Sequence, residues 1–371
     1  MIYRSDWCIA HLRRGFMLTD KNVVVFGGTG SLGKLLVKRL LAGECGIPRK
    51  ILVVSRDEAK QHFMRLEFQQ MSVGTDELFY RNYQRVLQFH IGDIRDYSSV
   101  RTALRDADFV FNAAALKQVP ACEYFPYEAV LTNVVGAENI ARSIRENGLR
   151  IHTVIGVSTD KACKPVNVMG MTKAIQERIY GRANLDCPET RFACVRYGNV
   201  LASRGSVIPL FHEQIACGGP VTITTESMTR FLLPLDHAVD TIFACLNGAK
   251  PGEIYVPKCP AANIRDLAEV MVGDQQIEIK VIGIRPGEKE HEALVSDEES
   301  HRTIERGDYY VVLPILPELQ PESFTPAAFA GEEYDSRHDL MDKTEIKALL
   351  DKNDLLRPHA LAVRMKETAK R

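Results

Sequence analysis

At 371 residues, with 45% hydrophobic and 26% charged side chains, the chain is long enough for one large α/β unit plus a smaller lobe, and too apolar for disorder to be the default. Its 47 Lys and Arg against 48 Asp and Glu leave a net charge of -1, which removes any electrostatic reason to expect a nucleic-acid or anionic-membrane partner. Nine cysteines make no Cys-x-x-Cys pair and no zinc-ligand spacing, and no window approaches about 18 uninterrupted apolar residues, so a soluble, metal-free protein of the reducing cytoplasm is expected.

Residues 1–16 carry Arg4, Asp6, His11, Arg13 and Arg14 and lack the apolar core of a signal peptide. Met17 followed by Leu18-Thr19-Asp20-Lys21 reads as a beginning, which makes 1–16 an extension outside the fold. Val23 to Phe26 is then a short apolar run ending in Gly27-Gly28, after which Leu32, Leu35, Leu36, Leu40 and Leu41 recur at helical spacing, giving strand, turn and helix. Further buried strands are expected at Ile51 to Val54, Val86 to His90, Phe109 to Asn112, Ile151 to Val157 and Phe192 to Arg196. Each pair is separated by enough chain for a crossover helix, so 17–200 reads as a doubly wound, Rossmann-like parallel sheet covered on both faces. From about Val200 the glycines and prolines crowd shorter apolar runs, which suggests a smaller mixed lobe over 201–312, with sheet and lobe free to interleave. Leu313 to Pro326 holds four prolines and reads as an extended connection, followed by a short helix after Asp342 with Ile346, Leu349 and Leu350 on one face, and a charged, frayed tail from about Lys352.

The turn Gly28-Thr29-Gly30-Ser31-Leu32-Gly33, preceded by Gly27, has the glycine spacing that lets a backbone approach a pyrophosphate at a helix N-terminus. After the second strand, where an NAD enzyme places an acid for the ribose hydroxyls, stand Ser55 and Arg56, a hydroxyl and a guanidinium suited to a ribose 2′-phosphate. NADP is therefore expected over NAD; the alternative is that Arg56 is solvated and Asp57 holds an NAD ribose. Asp93, with Ile94, follows the third strand and is placed to accept from an adenine amino group, and Ala113 and Ala114 close the fourth strand with side chains small enough for a cofactor to pass. After the fifth strand, Ser158-Thr159-Asp160-Lys161 puts an acid and an ammonium at the carboxyl edge of the sheet, unless the two form a surface ion pair. Met169 and Lys173 follow one helical turn apart.

Together with Ala113 to Pro120, Arg196-Tyr197-Gly198-Asn199-Val200, Ser203 to Ser206, Met228 to Phe231 and Arg285 to Lys289, these segments make the sequence resemble the UDP-N-acetylglucosamine 4,6-dehydratases, extended short-chain dehydrogenases/reductases of capsule, flagellin and glycan sugar synthesis, over roughly Val23 to Ala348. The resemblance implies oxidation of sugar carbon 4 with hydride passing to NADP, elimination of water across carbons 5 and 6, and return of the hydride to carbon 6, with inversion at carbon 5 slightly favoured. Met169 stands where the superfamily places its proton-accepting tyrosine, and a thioether cannot take that part. By the resemblance Thr159 holds the carbon 4 hydroxyl, Asp160 is the acid for the departing hydroxyl, Lys161 is the base at carbon 5, and Lys173 binds the nicotinamide ribose. It also places Arg285 and Glu288 on the nucleotide, Asn199, Arg204, Ser206 and Arg230 on phosphates and the acetamido group, and Lys117 and Glu123 near the sugar, and it implies a dimer or hexamer. Two rivals stay open: a nucleotide-sugar 4-epimerase, which needs no elimination, and a non-catalytic NADP-binding sensor, which Met169 would suit.

Overall fold

A computed structural model describes residues 17–72, 83, 85–201, 206–285 and 287–356. The expected extension over 1–16 and the end of the expected tail fall outside them.

The first half alternates as expected: β1 (Asn22–Phe26), α1 (Ser31–Leu41), β2 (Lys50–Ser55), α2 (Glu58–Ser72), β3 (Leu87–Ile91), α3 (Tyr97–Leu104), β4 (Phe109–Asn112), α4 (Val119–Tyr124), α5 (Pro126–Ala129), a π-helical turn, α6 (Gly136–Asn147), β5 (Thr153–Val157), a 3-10 turn at Asp160–Ala162, α7 (Val168–Asp186) and β6 (Arg191–Val195). The second half holds β7 (Asn199–Val200), α8 (Val207–Ala216), β8 (Val221–Ile223), β9 (Thr229–Leu233), α9 (Leu235–Gly248), β10 (Ile254–Pro257), β11 (Ala261–Asn263), α10 (Ile264–Val272), β12 (Ile279–Val281), β13 (Ala293–Val295), α11 (Asp297–Ser300), β14 (Thr303–Arg306), β15 (Tyr309–Val312), β16 (Tyr334–Asp335) and α12 (Lys343–Lys352).

The large sheet has nine strands in the order β14-β15-β10-β6-β5-β4-β1-β2-β3. From β3 to β10 every neighbour is parallel, and β15 and β14 continue it antiparallel. Val23, Val25, Ile51, Val53, Val154 and Val195 are buried because helices cover both faces, which is why these strands read as unbroken apolar runs. The winding reverses between β1 and β4, and the crevice beyond the carboxyl ends at such a switch point is where these sheets bind ligands. Residues 254–257 and 303–312 return to the sheet, so a division near 200 separates the sequence and not the sheet. The lobe has its own core, in which Ile208, Phe211, Val221, Leu232, Leu267, Ile346 and Leu350 pack together. α12 joins it behind a capping box made by Asp342 and Glu345. Among the described residues no helix is long and apolar enough to cross a membrane, and no cluster of His, Cys, Asp or Glu could hold a metal ion.

Candidate active site

Where β1 meets α1 the chain passes through Gly27 at φ +74°, and a Cβ there would lie 2.6 Å from the Ala114 nitrogen. Gly33 is as confined, since its Cβ would stand 2.5 Å from the Gly27 carbonyl oxygen. Glycine thus lets β1, α1 and the Ala113–Ala114 segment close on one another, with Leu32 packed on the core and Thr29 and Ser31 left toward the rim. Gly30 caps α1 with no side-chain hydrogen bond. The first-turn amides of α1 therefore face the crevice with the positive end of the helix dipole, a cradle that fits a pyrophosphate.

Beyond β2, Ser55 Oγ accepts from Gln61 Nε2 at 3.2 Å while the Arg56 side chain is exposed. Asp57 is engaged by Lys60 Nζ at 2.7 Å, and that contact holds its carboxyl below the usual range. Asp93 accepts from Arg95 Nε at 2.9 Å and from the adjoining guanidinium nitrogen at 2.7 Å, so an adenine amino group at this carboxylate would share it with an arginine. Ile94 is buried against Gly136 at the start of α6.

The acid and ammonium expected at the end of β5 are not a surface pair. Asp160 is 1% exposed, and its Oδ1 accepts from Thr159 Oγ1 at 2.7 Å, Lys161 N at 2.8 Å and Lys161 Nζ at 3.1 Å. Thr159 caps the 3-10 turn that presents this cluster. Lys161 Nζ also lies 3.2 Å from Glu292 Oε1 and 3.4 Å from Asn199 Oδ1. Burial works against the Lys161 charge, but Asp160 and Glu292 outweigh it and raise its pKa above the ordinary lysine value. Lys161 therefore rests as an ammonium. Asp160 Oδ2 and Glu292 Oε2 are both buried with no hydrogen-bond partner among the described residues.

One helix away, Lys173 is buried, donating to the Val157 carbonyl at 2.7 Å and to Gln176 Oε1 at 2.8 Å. Burial pushes its pKa down to about 8. Met169 packs with Cys122 and Ala129, an apolar fit with no proton chemistry of its own.

The remaining expected residues divide. Asn199 joins the cluster through Lys161. Arg230 sits beside it, but its donors go to the carbonyls of Thr229 at 2.7 Å, Lys289 at 2.8 Å and Glu290 at 2.9 Å, so it holds the 289–290 backbone in place. Glu123 Oε1 accepts from Val168 N at 2.7 Å and thereby caps α7. Asn167 Nδ2 donates to the Gly287 carbonyl at 2.8 Å, which brings the loop of exposed Arg285 and of Glu288 to the start of α7; Glu288 accepts from Thr224 at 3.4 Å. Ser206 is the N-cap of α8, Lys117 is exposed beyond β4, and Arg204 lies outside the described residues. Glu292 escaped the sequence reading. Its one sequence signal is a carboxylate opening the apolar run Ala293-Leu294-Val295.

A family model described as polysaccharide biosynthesis protein matches residues 23–314. A UDP-glucose 4-epimerase of Rickettsia conorii is 43% identical over 299 residues, 79% of this chain and 83% of that protein. One from Rickettsia bellii is 42% identical over the same shares. The X-ray structure of Pen from Bacillus thuringiensis matches with a TM-score of 0.80 at 35% identity, covering 91% of this chain and 99% of that one. The dTDP-glucose 4,6-dehydratase DesIV from Streptomyces venezuelae, solved with NAD and TYD, has the same fold, with a TM-score of 0.60 at 22% identity over 72% of this chain and 86% of that one.

Proposed function

This chain belongs to the polysaccharide biosynthesis protein family, and from that premise we propose that it is an NADP-dependent 4,6-dehydratase of UDP-N-acetylglucosamine. That family, with its UDP-glucose 4-epimerase relatives and the shared fold of a dTDP-glucose 4,6-dehydratase, makes it a nucleotide-sugar-modifying enzyme on an extended short-chain dehydrogenase/reductase fold. The observation that carries the finer reading is buried Asp160 hydrogen-bonded to half-buried Thr159 and Lys161, beside a methionine at the tyrosine position.

A bound nicotinamide supplies the acceptor, and later the donor, of the hydride. The chain's own residues then have three protons to move. The carbon 4 hydroxyl proton can pass through Thr159 Oγ1 to Asp160, because that hydroxyl already donates to Asp160 Oδ1 at 2.7 Å. Asp160, so protonated, is the acid the carbon 6 hydroxyl needs in order to leave as water. The carbon 5 proton, made acidic by the adjacent ketone, goes to Lys161. A 4-epimerase needs the first of these transfers and neither of the others, so a buried acid and amine side by side are more than it requires. For the cofactor, the engaged state of Asp57 and the exposed Arg56 favour a ribose 2′-phosphate.

The epimerase reading keeps one support, the names of the Rickettsia relatives. Incubation with UDP-N-acetylglucosamine, read by NMR, separates them: a 4-keto-6-deoxy sugar is expected, and a carbon 4 epimer that keeps its carbon 6 hydroxyl overturns the dehydratase. Exchange of Arg56 for Asp is expected to weaken NADP binding while sparing NAD, and equal loss of both removes the 2′-phosphate assignment.

A further inference from the structure

Lys161 poses a difficulty that the dehydratase reading does not resolve. A base at carbon 5 has to be a neutral amine, yet this amine lies between two buried carboxylates that keep it protonated. One of the two, Asp160, is already occupied with Thr159 and with the leaving hydroxyl. The other, Glu292, has no part in the chemistry so far.

Glu292 is 2% exposed, with one carboxylate oxygen 3.2 Å from Lys161 Nζ and the other without a partner among the described residues. A buried carboxylate oxygen left unpaired is costly, and an apolar side chain of similar size would serve the packing better. The backbone takes trouble to keep it there. Glu292 N donates to Ser336 Oγ at 3.0 Å, its carbonyl accepts from Ser336 N at 2.8 Å, and Arg230 holds the carbonyls of Lys289 and Glu290 just upstream. The residue before β13, the residue after β16 and Arg230 of β9 thus fix one carboxylate against one lysine.

We propose that Glu292 is the proton partner of Lys161, taking a proton from the ammonium so that the freed amine can remove the carbon 5 proton, and returning it at the end of the cycle. The proposal rests on the dehydratase reading. In the first transfer an N–H bond of Lys161 breaks and an O–H bond forms on Glu292. The amine lone pair then takes the carbon 5 proton, the C–H electrons become the carbon 5 to carbon 6 double bond, and the carbon 6 to oxygen bond breaks onto the proton of Asp160 to release water. When carbon 6 is reduced, Lys161 gives a proton back to carbon 5 and recovers one from Glu292. Neither residue is changed over the turnover. The charged and titratable groups around the pair are Asp160 from the 3-10 turn, Arg230 from β9, the Cys259 thiol beyond β10, raised by burial and by Asp160, and His291, whose Nδ1 is 2.8 Å from Thr229 Oγ1. Arg230 alone among them favours the neutral amine.

The test is Glu292→Gln, which keeps the shape and an acceptor oxygen but cannot take a proton. At pH 7 the variant is expected to lose about 10²-fold or more in kcat, with KM for UDP-N-acetylglucosamine little changed. The loss should shrink by about tenfold per pH unit on going alkaline, since removing one anion lowers the proton affinity of Lys161 and solvent can then free the amine. In D2O the wild type should place deuterium at carbon 5, and the variant should accumulate reduced nicotinamide without that exchange. A kcat near wild type at pH 7, or a deficit that stays flat with pH, overturns the proposal. Glu292→Asp, which retains a proton-accepting carboxylate, is expected to keep more activity than Glu292→Gln; if Glu292→Gln does not fold, a folded Glu292→Asp that loses more than about 10²-fold in kcat overturns it instead. A wild-type enzyme that yields a carbon 4 epimer overturns the dehydratase reading and the proposal with it, and that outcome is seen before any variant is made.

Discussion

Lys161 is half-buried in the proposed reacting cluster and Lys173 is buried on the helix behind it, and their surroundings push them in opposite directions. Two carboxylates raise Lys161 against the cost of its burial, whereas Lys173 has a carbonyl and an amide oxygen for company and falls to about 8. Glu177, the nearest carboxylate on α7, is taken by Ser158 and Arg196. Because the folded pKa of Lys173 lies below its ordinary 10.5, the unfolded chain binds the extra proton between about pH 8 and 10.5, and stability from this group rises across that window. Lys173→Met removes the dependence, so its melting temperature relative to wild type should be highest near pH 7 and fall steadily toward pH 10; a pH-independent difference counts against a depressed Lys173. Asp160 gives a sharper test of the chemistry. Since Thr159 Oγ1 already donates to it, Asp160→Asn should block the first oxidation, with turnover down about 10² to 10⁴ and the nicotinamide still oxidised in a single-turnover mixture. Accumulation of reduced nicotinamide would confine Asp160 to the leaving-group step.

At the scale of elements, the β1 turn into α1 was legible because its constraint is local: a few glycines, a strand before and a helix after. Gly33→Ala is expected to abolish nicotinamide cofactor binding, measured by calorimetry, since the added Cβ would meet only backbone, the Gly27 carbonyl at 2.5 Å and Gly28 Cα at 2.6 Å, which cannot move aside. Gly30→Ala, whose nearest neighbour is 3.4 Å away, should be tolerated by the fold; equal damage from the two would remove the close-packing argument. The strands of the first half were legible for a related reason, their continuous Val, Ile and Phe runs needing no partner to be recognised. β7, β11 and β16 were not, being two or three residues long and defined only by what they pair with. β10 also went unread, although it lies in the main sheet, because Ile-Tyr-Val-Pro carries no period of its own. Thr159, Asp160 and Lys161 could be named from sequence since they adjoin a readable strand. Glu292 could not, because its meaning lies in a contact with Lys161, 131 residues away in sequence, that only the folded chain creates.

For the molecule as a whole, Arg196 ties the end of β6 and α7 to the segment of β13 and α11. Arg196, 1% exposed at the end of β6, donates to Glu177 on α7 through Nε at 3.1 Å and a terminal nitrogen at 2.6 Å, to Glu299 on α11 at 2.6 Å, and to the Leu294 carbonyl at 2.9 Å. Glu177 in turn accepts from Ser158, the residue before Thr159, so the strut reaches the proposed reacting cluster. Burial alone would raise the Glu299 carboxyl, but the Arg196 guanidinium outweighs it and holds the group at about 2. A depressed carboxyl contributes stability that is fully present above its ordinary 4.5 and is lost as pH falls toward about 2. Arg196→Met takes the guanidinium from two buried carboxylates, leaving Glu177 with Ser158 and Glu299 with Arg302 at 3.2 Å, which typically costs about 3 to 5 kcal/mol, and it removes the main reason for Glu299 to stay ionised. In the variant Glu299 can neutralise itself by taking a proton, so acidification should narrow the gap. Urea unfolding of the two proteins at pH 7 and near pH 4 reads this directly: the deficit should be large at pH 7 and smaller at pH 4. Lys at this position should not rescue, because a single ammonium cannot serve two carboxylates and a carbonyl through a planar fork. A deficit of the same size at both pH values would mean that Arg196 acts by filling space, and the ion-pair strut from α7 to α11 would have to be given up.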